Sequence, residues 1–231
     1  MAKPAASSNQ NDFHIRTSSR TPHNAGEEMH RLTGCRWIKY VPAKENPMPH
    51  YIAFLRGMNL GKRRVKMEQL RTLFEEMKFS SVETFIASGN VIFSARSADA
   101  QKLEKQIEAH LKKSLGYGVD TFVRTRQEIA AVAAHQPFPT DALDCPQHTV
   151  HAGFLREPIN AAQIRNLLAA RTAVDEFQVE GREYYWLCRI KINESKVWAS
   201  PQMKLVKLPT SSMRNLTTIR KLAALYPVPK S

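Results

Sequence analysis

The sequence predicts an α+β fold of two similar halves with antiparallel sheets, preceded by a disordered tail. Three observations carry this. A strand–helix–strand–strand–helix order of hydrophobic periods occurs twice after Tyr51. Short polar turns, Ser88-Gly89-Asn90 and Glu180-Gly181, join consecutive strands as hairpins. Residues 1–47, rich in Ser, Asn, Pro, Ala and His, show no sustained apolar period.

Strand one spans Tyr51–Arg56. A helix follows over about Lys66–Met77, because Met67, Leu70, Leu73, Phe74 and Met77 fall on one face. Strands two (Val82–Ala87) and three (Val91–Ser94) flank Ser88-Gly89-Asn90, where Gly and Asn supply the positive φ of a tight turn. Asp99 caps a second helix that runs through Leu103, Ile107 and Leu111 to about Leu115. Gly116 and Gly118 end it, and Val119–Arg124 makes a fourth strand. This β-α-β-β-α-β order is the split βαβ of ferredoxin-like domains.

The second half opens with a short helix near Gln127–Ala134 and a Pro-rich loop. A strand at His148–Leu155 comes next, then a helix capped by Asn160 through Ile164, Leu167 and Leu168. Val174–Val179 and Glu183–Cys188 form a hairpin, Pro201 opens another short helix, and a basic helix closes the chain around Thr217–Leu225. The chain therefore divides into a tail (1–47), a first ferredoxin-like half (48–125) and a second ferredoxin-like half with a basic C-terminal helix (126–231). Cys35–Val41 has the pattern of a short docking strand, and Met48, directly before strand one, is a second candidate for the translation start.

A chain of 231 residues can bury a core. Its formal charge of +13 selects anionic partners, nucleic acid or phosphorylated molecules. Seven Lys/Arg against four Asp/Glu in the tail leave about +10 (13 minus 3) on the remainder. Cys35, Cys145 and Cys188 are scattered without a C-x-x-C, which points to free thiols in a reducing compartment. No apolar run approaches the ~20 residues of a membrane span, and the N-terminus lacks a secretory pattern. A cytoplasmic protein with no membrane partner is expected.

Gly57-Met-Asn-Leu-Gly61-Lys62 invites comparison with a phosphate-binding P-loop. A P-loop needs four residues between its glycines and Ser or Thr after the Lys; here there are three, followed by Arg63 and Arg64. A nucleoside triphosphatase is thereby excluded, while a backbone-and-cation anion cradle remains. His148 and His151 stand three apart on a strand, so they face opposite sides and cannot chelate one ion together. No cofactor or metal is expected. Ser195 beside Lys196 lacks a third activating group, and adjacent side chains seldom face one another. The sheet also lacks the outward aromatic pair of an RNA-recognition motif; Phe85 and Phe93 can share one face, but core packing accounts for them. Ser211–Leu222 reads as a capped basic helix with Arg214 and Asn215 near its N-terminus.

Leu55-Arg-Gly-Met-Asn-Leu-Gly-Lys62, Ser88-Gly-Asn-Val-Ile-Phe93, Ser195-Lys196, and Arg214-Asn215 with Thr218 and Lys221-Leu222 together resemble the bacterial domain-of-unknown-function 1697 proteins, over about Tyr51–Leu225. The chain departs from that pattern at Leu216, where the family usually has Trp, and at Ala87, where it tends to have Gln. The resemblance implies a bacterial protein with an α+β, ferredoxin-like fold, and brings no established activity. The residues point to binding of an anionic ligand, nucleic acid or a phosphorylated molecule, through Arg56, Asn59, Lys62, Ser88, Asn90, Lys196, Arg214 and Asn215. The alternative is an enzyme acting on a phosphorylated or carboxylated substrate in a pocket between the halves.

Overall fold

The computed structural model describes residues 48–58, 64–86, 89–143 and 145–228. The tail 1–47 and the expected strand at Cys35–Val41 lie outside the described residues, as do Asn59, Lys62, Ala87 and Ser88. The described residues form one compact unit.

The first half runs β1 (His50–Arg56), α1 (Met67–Glu76), β2 (Ser80–Phe85), β3 (Asn90–Ser94), α2 (Ala100–Leu115) and β4 (Asp120–Thr125). After α3 (Arg126–Ala134) and a 3-10 turn at Thr140–Leu143 come β5 (Thr149–Phe154), α4 (Ala161–Ala169), β6 (Asp175–Glu180) and β7 (Glu183–Cys188). A 3-10 turn at Val197–Ala199 then leads to α5 (Pro201–Val206), β8 (Ser212–Asn215) and α6 (Leu216–Leu225). The two sheets have equivalent orders, β2-β3-β1-β4 and β6-β7-β5-β8, with antiparallel pairing throughout. This is the ferredoxin-like order twice over. The fourth strand of the second half corrects the capped-helix reading of Ser211–Leu222, since Ser212–Asn215 pairs with Phe154–His151 of β5.

Local chemistry sets the helix ends. Asp99 accepts from the Lys102 backbone N–H and Gly116 closes α2 at φ 77°. Thr125 with Glu128, and Asn160 with Gln163, form capping boxes at the starts of α3 and α4. Asn215 caps α6 by accepting from the Thr217 N–H at 2.8 Å.

The central strands are apolar almost continuously because both sheet faces are covered. Tyr51, Ala53, Leu55, Val91, Phe93 and Val123 face α1 and α2 in one core. Phe154's neighbour Leu155, with Tyr184, Trp186 and Cys188, packs with α4 and α5 residues in another. The intervening positions, Ile52, Phe54, Ile92 and Phe122 from one sheet and Val150, Ala152, Phe154, Tyr185 and Leu187 from the other, share a third core flanked by α3 and α6. The sheets thus pack face to face, helices outside, with the Phe54 and Phe154 rings stacked at 4.2 Å and 4° on the contact. The sheet face that an RNA-recognition motif offers to bases is occupied here by the second sheet. Phe85 and Phe93 do not share a face: Phe85 packs on the inter-sheet core with Ile92, while Phe93 points to α1.

Candidate functional site

Two arginines tie the halves together in reciprocal fashion. Arg124 stands opposite Ile52 in the β4–β1 register, and Arg214 stands opposite Ala152 in the β8–β5 register. Arg124 is fully buried and donates from Nη2 to the Leu155 carbonyl at 2.6 Å, from Nη1 to its own neighbour Val123 at 2.9 Å, and from Nε to Glu183 at 2.7 Å. Arg214 donates from Nη2 to the Leu55 carbonyl at 2.9 Å, from Nη1 to its own neighbour Met213 at 2.9 Å, and from Nε to Asn90 Oδ1 at 2.6 Å. Glu183 lies opposite Phe154 and Asn90 opposite Phe54, so the acceptors also correspond. The guanidinium of Arg124 rests on Phe154 at 5.4 Å and that of Arg214 on Phe54 at 5.6 Å. This is the pattern of a two-fold interface, in which each copy makes the other's contacts, within one chain. Burial draws Arg214 down to about 10.

Of the residues expected to form a site, the structure therefore brings Asn90 and Arg214 together, as partners of each other. Arg214 also reaches the Gly89 carbonyl at 3.4 Å, beside the hairpin that carries Ser88. Gly89 has φ 72° and lies so close to β1 that an added Cβ would stand 3.1 Å from Leu55 Cβ. The loop after β1 and the hairpin after β2 thus emerge at the same end of the first sheet. Ile86, at that hairpin, is 52 % exposed at φ 51°, a strained setting for a β-branched residue. Asn215 is spent on capping α6. Lys196 is exposed at the start of the Val197–Ala199 turn. Its neighbour Ser195 donates to buried Asp175 at 2.7 Å, as does Trp186 at 2.9 Å, which makes Ser195 part of a satisfied carboxylate network.

Arg56 opens a different site. Its side chain leaves the end of β1 and, with Trp198, Met203, Lys204, Lys207, Leu208, Pro209, Thr210 and Ser211, lines a groove of about 430 Å³. One wall comes from the first half and the other from α5 and the α5–β8 connection of the second. Among the described residues, three cations and two hydroxyls line it, and no carboxylate does. Ser211 is held by the Tyr184 hydroxyl at 2.9 Å. Lys207 sits at φ 48°, with its carbonyl tied to Gln163 at 2.9 Å. Arg56 contacts Asp120 of the neighbouring strand at 3.4 Å, with both side chains about half exposed.

Lys204, Lys207 and Thr210 carry no motif and escaped sequence reasoning, and Ser211 reads in the sequence only as part of the Ser211–Leu222 helix. A signal existed in Phe54-Leu55-Arg56 and Phe154-Leu155-Arg156, a shared tripeptide that marks the same strand end in each half. Among the described residues, no group of three or more His, Cys, Asp or Glu is placed to hold a metal ion. His148 bonds the Ala142 carbonyl at 2.7 Å, whereas His151 lies against Trp186 at 5.4 Å with its Nδ1 unpartnered. No described helix is long and apolar enough to cross a membrane.

The comparisons with known proteins agree with this architecture. The conserved bacterial protein SP0830 from Streptococcus pneumoniae is similar in structure, with TM-score 0.59 and 19 % identity, covering 77 % of this chain and 98 % of that one. No curated protein matches the sequence. The model of a family of proteins of unknown function, DUF1697, matches residues 48–185, more than half of the sequence, and the chain belongs to that family.

Proposed function

We propose that this protein binds an anionic small molecule in the groove between Arg56 and the α5–β8 connection. The observation that carries the reading is the lining itself: Arg56, Lys204 and Lys207 come from two halves, Thr210 and Ser211 add hydroxyl donors, and among the described lining residues there is no carboxylate, Asp120 meeting Arg56 from outside the lining. Asn59 and Lys62 follow Arg56 closely in sequence and Ser88 directly precedes Gly89, which keeps all three in the proposal as further donors. A phosphorylated or carboxylated molecule matches a concave site of this size better than a nucleic-acid strand does. Stacked bases have no free sheet face to lie on. The described lining holds no histidine or carboxylate to move a proton, so binding rather than catalysis is the reading put forward.

Calorimetric titration of the full chain with pyrophosphate, at constant ionic strength, tests the site. Arg56→Ala and Lys207→Ala are each expected to weaken binding about tenfold or more. Variants that bind as the wild type overturn the site. Tight binding of a labelled 20-nucleotide single strand that collapses with salt and ignores both substitutions assigns the charge to a nucleic-acid face instead.

A further inference from the structure

The pseudo-two-fold relation supplies an internal replica of the groove, and this inference rests on the reading of that groove as an anion site. Arg56 and Arg156 follow the same Phe-Leu pair at the ends of β1 and β5, and Arg214 and Arg124 grip the carbonyls just before them, Leu55 and Leu155. Each of the two arginines lies beside the helix that precedes the fourth strand of the opposite half: Arg156 against α2 and the first residue of β4, Arg56 in a groove with α5 and its connection to β8. For Arg156 that seat is filled. Its Nη2 bonds Glu108, its Nε lies 3.9 Å from Glu104, and its Nη2 lies 3.8 Å from Asp120, all from the first half. For Arg56 the corresponding region, α5 and its connection to β8, presents Lys204, Lys207, Thr210 and Ser211. From the opposite half, one arginine meets carboxylates, while its counterpart shares a groove with two more cations and hydroxyl donors.

We infer that the groove takes a dianionic phosphate group, that this group bridges Arg56 to the lysines across the two halves, and that Asp120 is the internal anion it displaces. In the replica, more than one carboxylate converges on a single arginine. A group that answers three cations from the open side needs comparable charge, and a phosphate monoester carries about two negative charges and three acceptor oxygens. Asp120 is the ion-pair partner of Arg56 among the described residues, at 3.4 Å, and it also stands 3.8 Å from Arg156. When a phosphate takes Arg56, Asp120 keeps a cation in Arg156, so the exchange strands no charge. A monocarboxylate would replace one carboxylate by another at Arg56 and gain only at the lysines. Asp120 therefore sets both affinity and the preference for dianions.

The test is titration of the full chain with inorganic phosphate and with acetate, at constant ionic strength, in wild type, Asp120→Asn and Arg56→Ala. Wild type is expected to favour phosphate over acetate, and Asp120→Asn to tighten phosphate about two- to fivefold, as loss of an exposed competing ion pair implies. Thermal scans of Asp120→Asn check that the fold is retained. Phosphate affinity that is unchanged or weaker in folded Asp120→Asn overturns the competitor role. Equal affinity for acetate and phosphate overturns the dianion preference, and both failures leave the groove standing if Arg56→Ala still abolishes binding. Binding indifferent to Arg56→Ala overturns the groove itself, and this inference with it.

Discussion

His151 shows how one buried side chain couples the fold to pH. Its ring is buried against Trp186, and burial draws its pKa from 6.5 to about 4. Above pH 6.5 the ring is neutral both folded and unfolded, and contributes no pH dependence. Between pH 6.5 and about 4 the unfolded chain takes up a proton that the folded one refuses, so stability falls as the pH falls. Relative to His151→Phe, which keeps an aromatic ring beside Trp186, the wild type is expected to lose about 3 kcal/mol over that window. Urea midpoints at pH 7 and pH 4 measure the difference, and parallel pH profiles for the two proteins would contradict it. Sequence reading placed His151 on a strand face away from His148, yet whether that face met water or a tryptophan depended on residues distant in the chain.

At the scale of elements, the β5–β7 pair supports one residue of the groove wall, Ser211, through Tyr184. Gly153 stands opposite Tyr184, and an added Cβ would lie 2.1 Å from the tip of the tyrosine ring. The ring lies across the glycine and hands its hydroxyl to Ser211 at the groove wall. Gly153→Ala is therefore expected to push Tyr184 out, cost about 3 kcal/mol, and weaken anion binding together with stability. Chemical denaturation and the pyrophosphate titration read the two effects, and a folded variant with wild-type values for both would remove the link. Most elements of the fold were legible: helical and strand periods located α1 to α6 and β1 to β7 to within a few residues. β8 was not, because Ser212–Asn215 is four residues long, mixed in polarity, and becomes a strand only through its pairing with β5. The 3-10 turns likewise left no periodic trace.

The whole molecule is a pair of like sheets joined through one shared core. Arg124 crosses that core to Glu183, whose carboxylate is largely buried. Arg124→Met is expected to cost about 3–5 kcal/mol, because it leaves Glu183 charged and without its partner. Pairing it with Glu183→Leu is expected to recover most of the loss. Since both sheets contribute to the same core, calorimetry should show one cooperative transition that shifts without splitting. Two separate transitions would mean that the halves are independent domains that merely touch. The same construction explains why two equivalent arginines, Arg56 and Arg156, end in different surroundings. Arg56 faces the lysines of the opposite half, while Arg156 is absorbed by the carboxylates of its own opposite half.

The sequence by itself determined the strand and helix periods, the two-fold repetition of the topology, the polar glycine-bearing turns, and the excess of positive charge. These are local or additive properties, readable from spacing and composition. Only the tertiary structure decided that the free sheet faces close on each other, that Arg214 and Asn90 hold the halves together, and that Arg56 joins Lys204 and Lys207 around a groove. Those outcomes depend on which surfaces meet across more than a hundred residues of chain. No local pattern encodes that meeting, because a buried clamp and an exposed ligand-binding arginine have the same composition and differ only in what faces them.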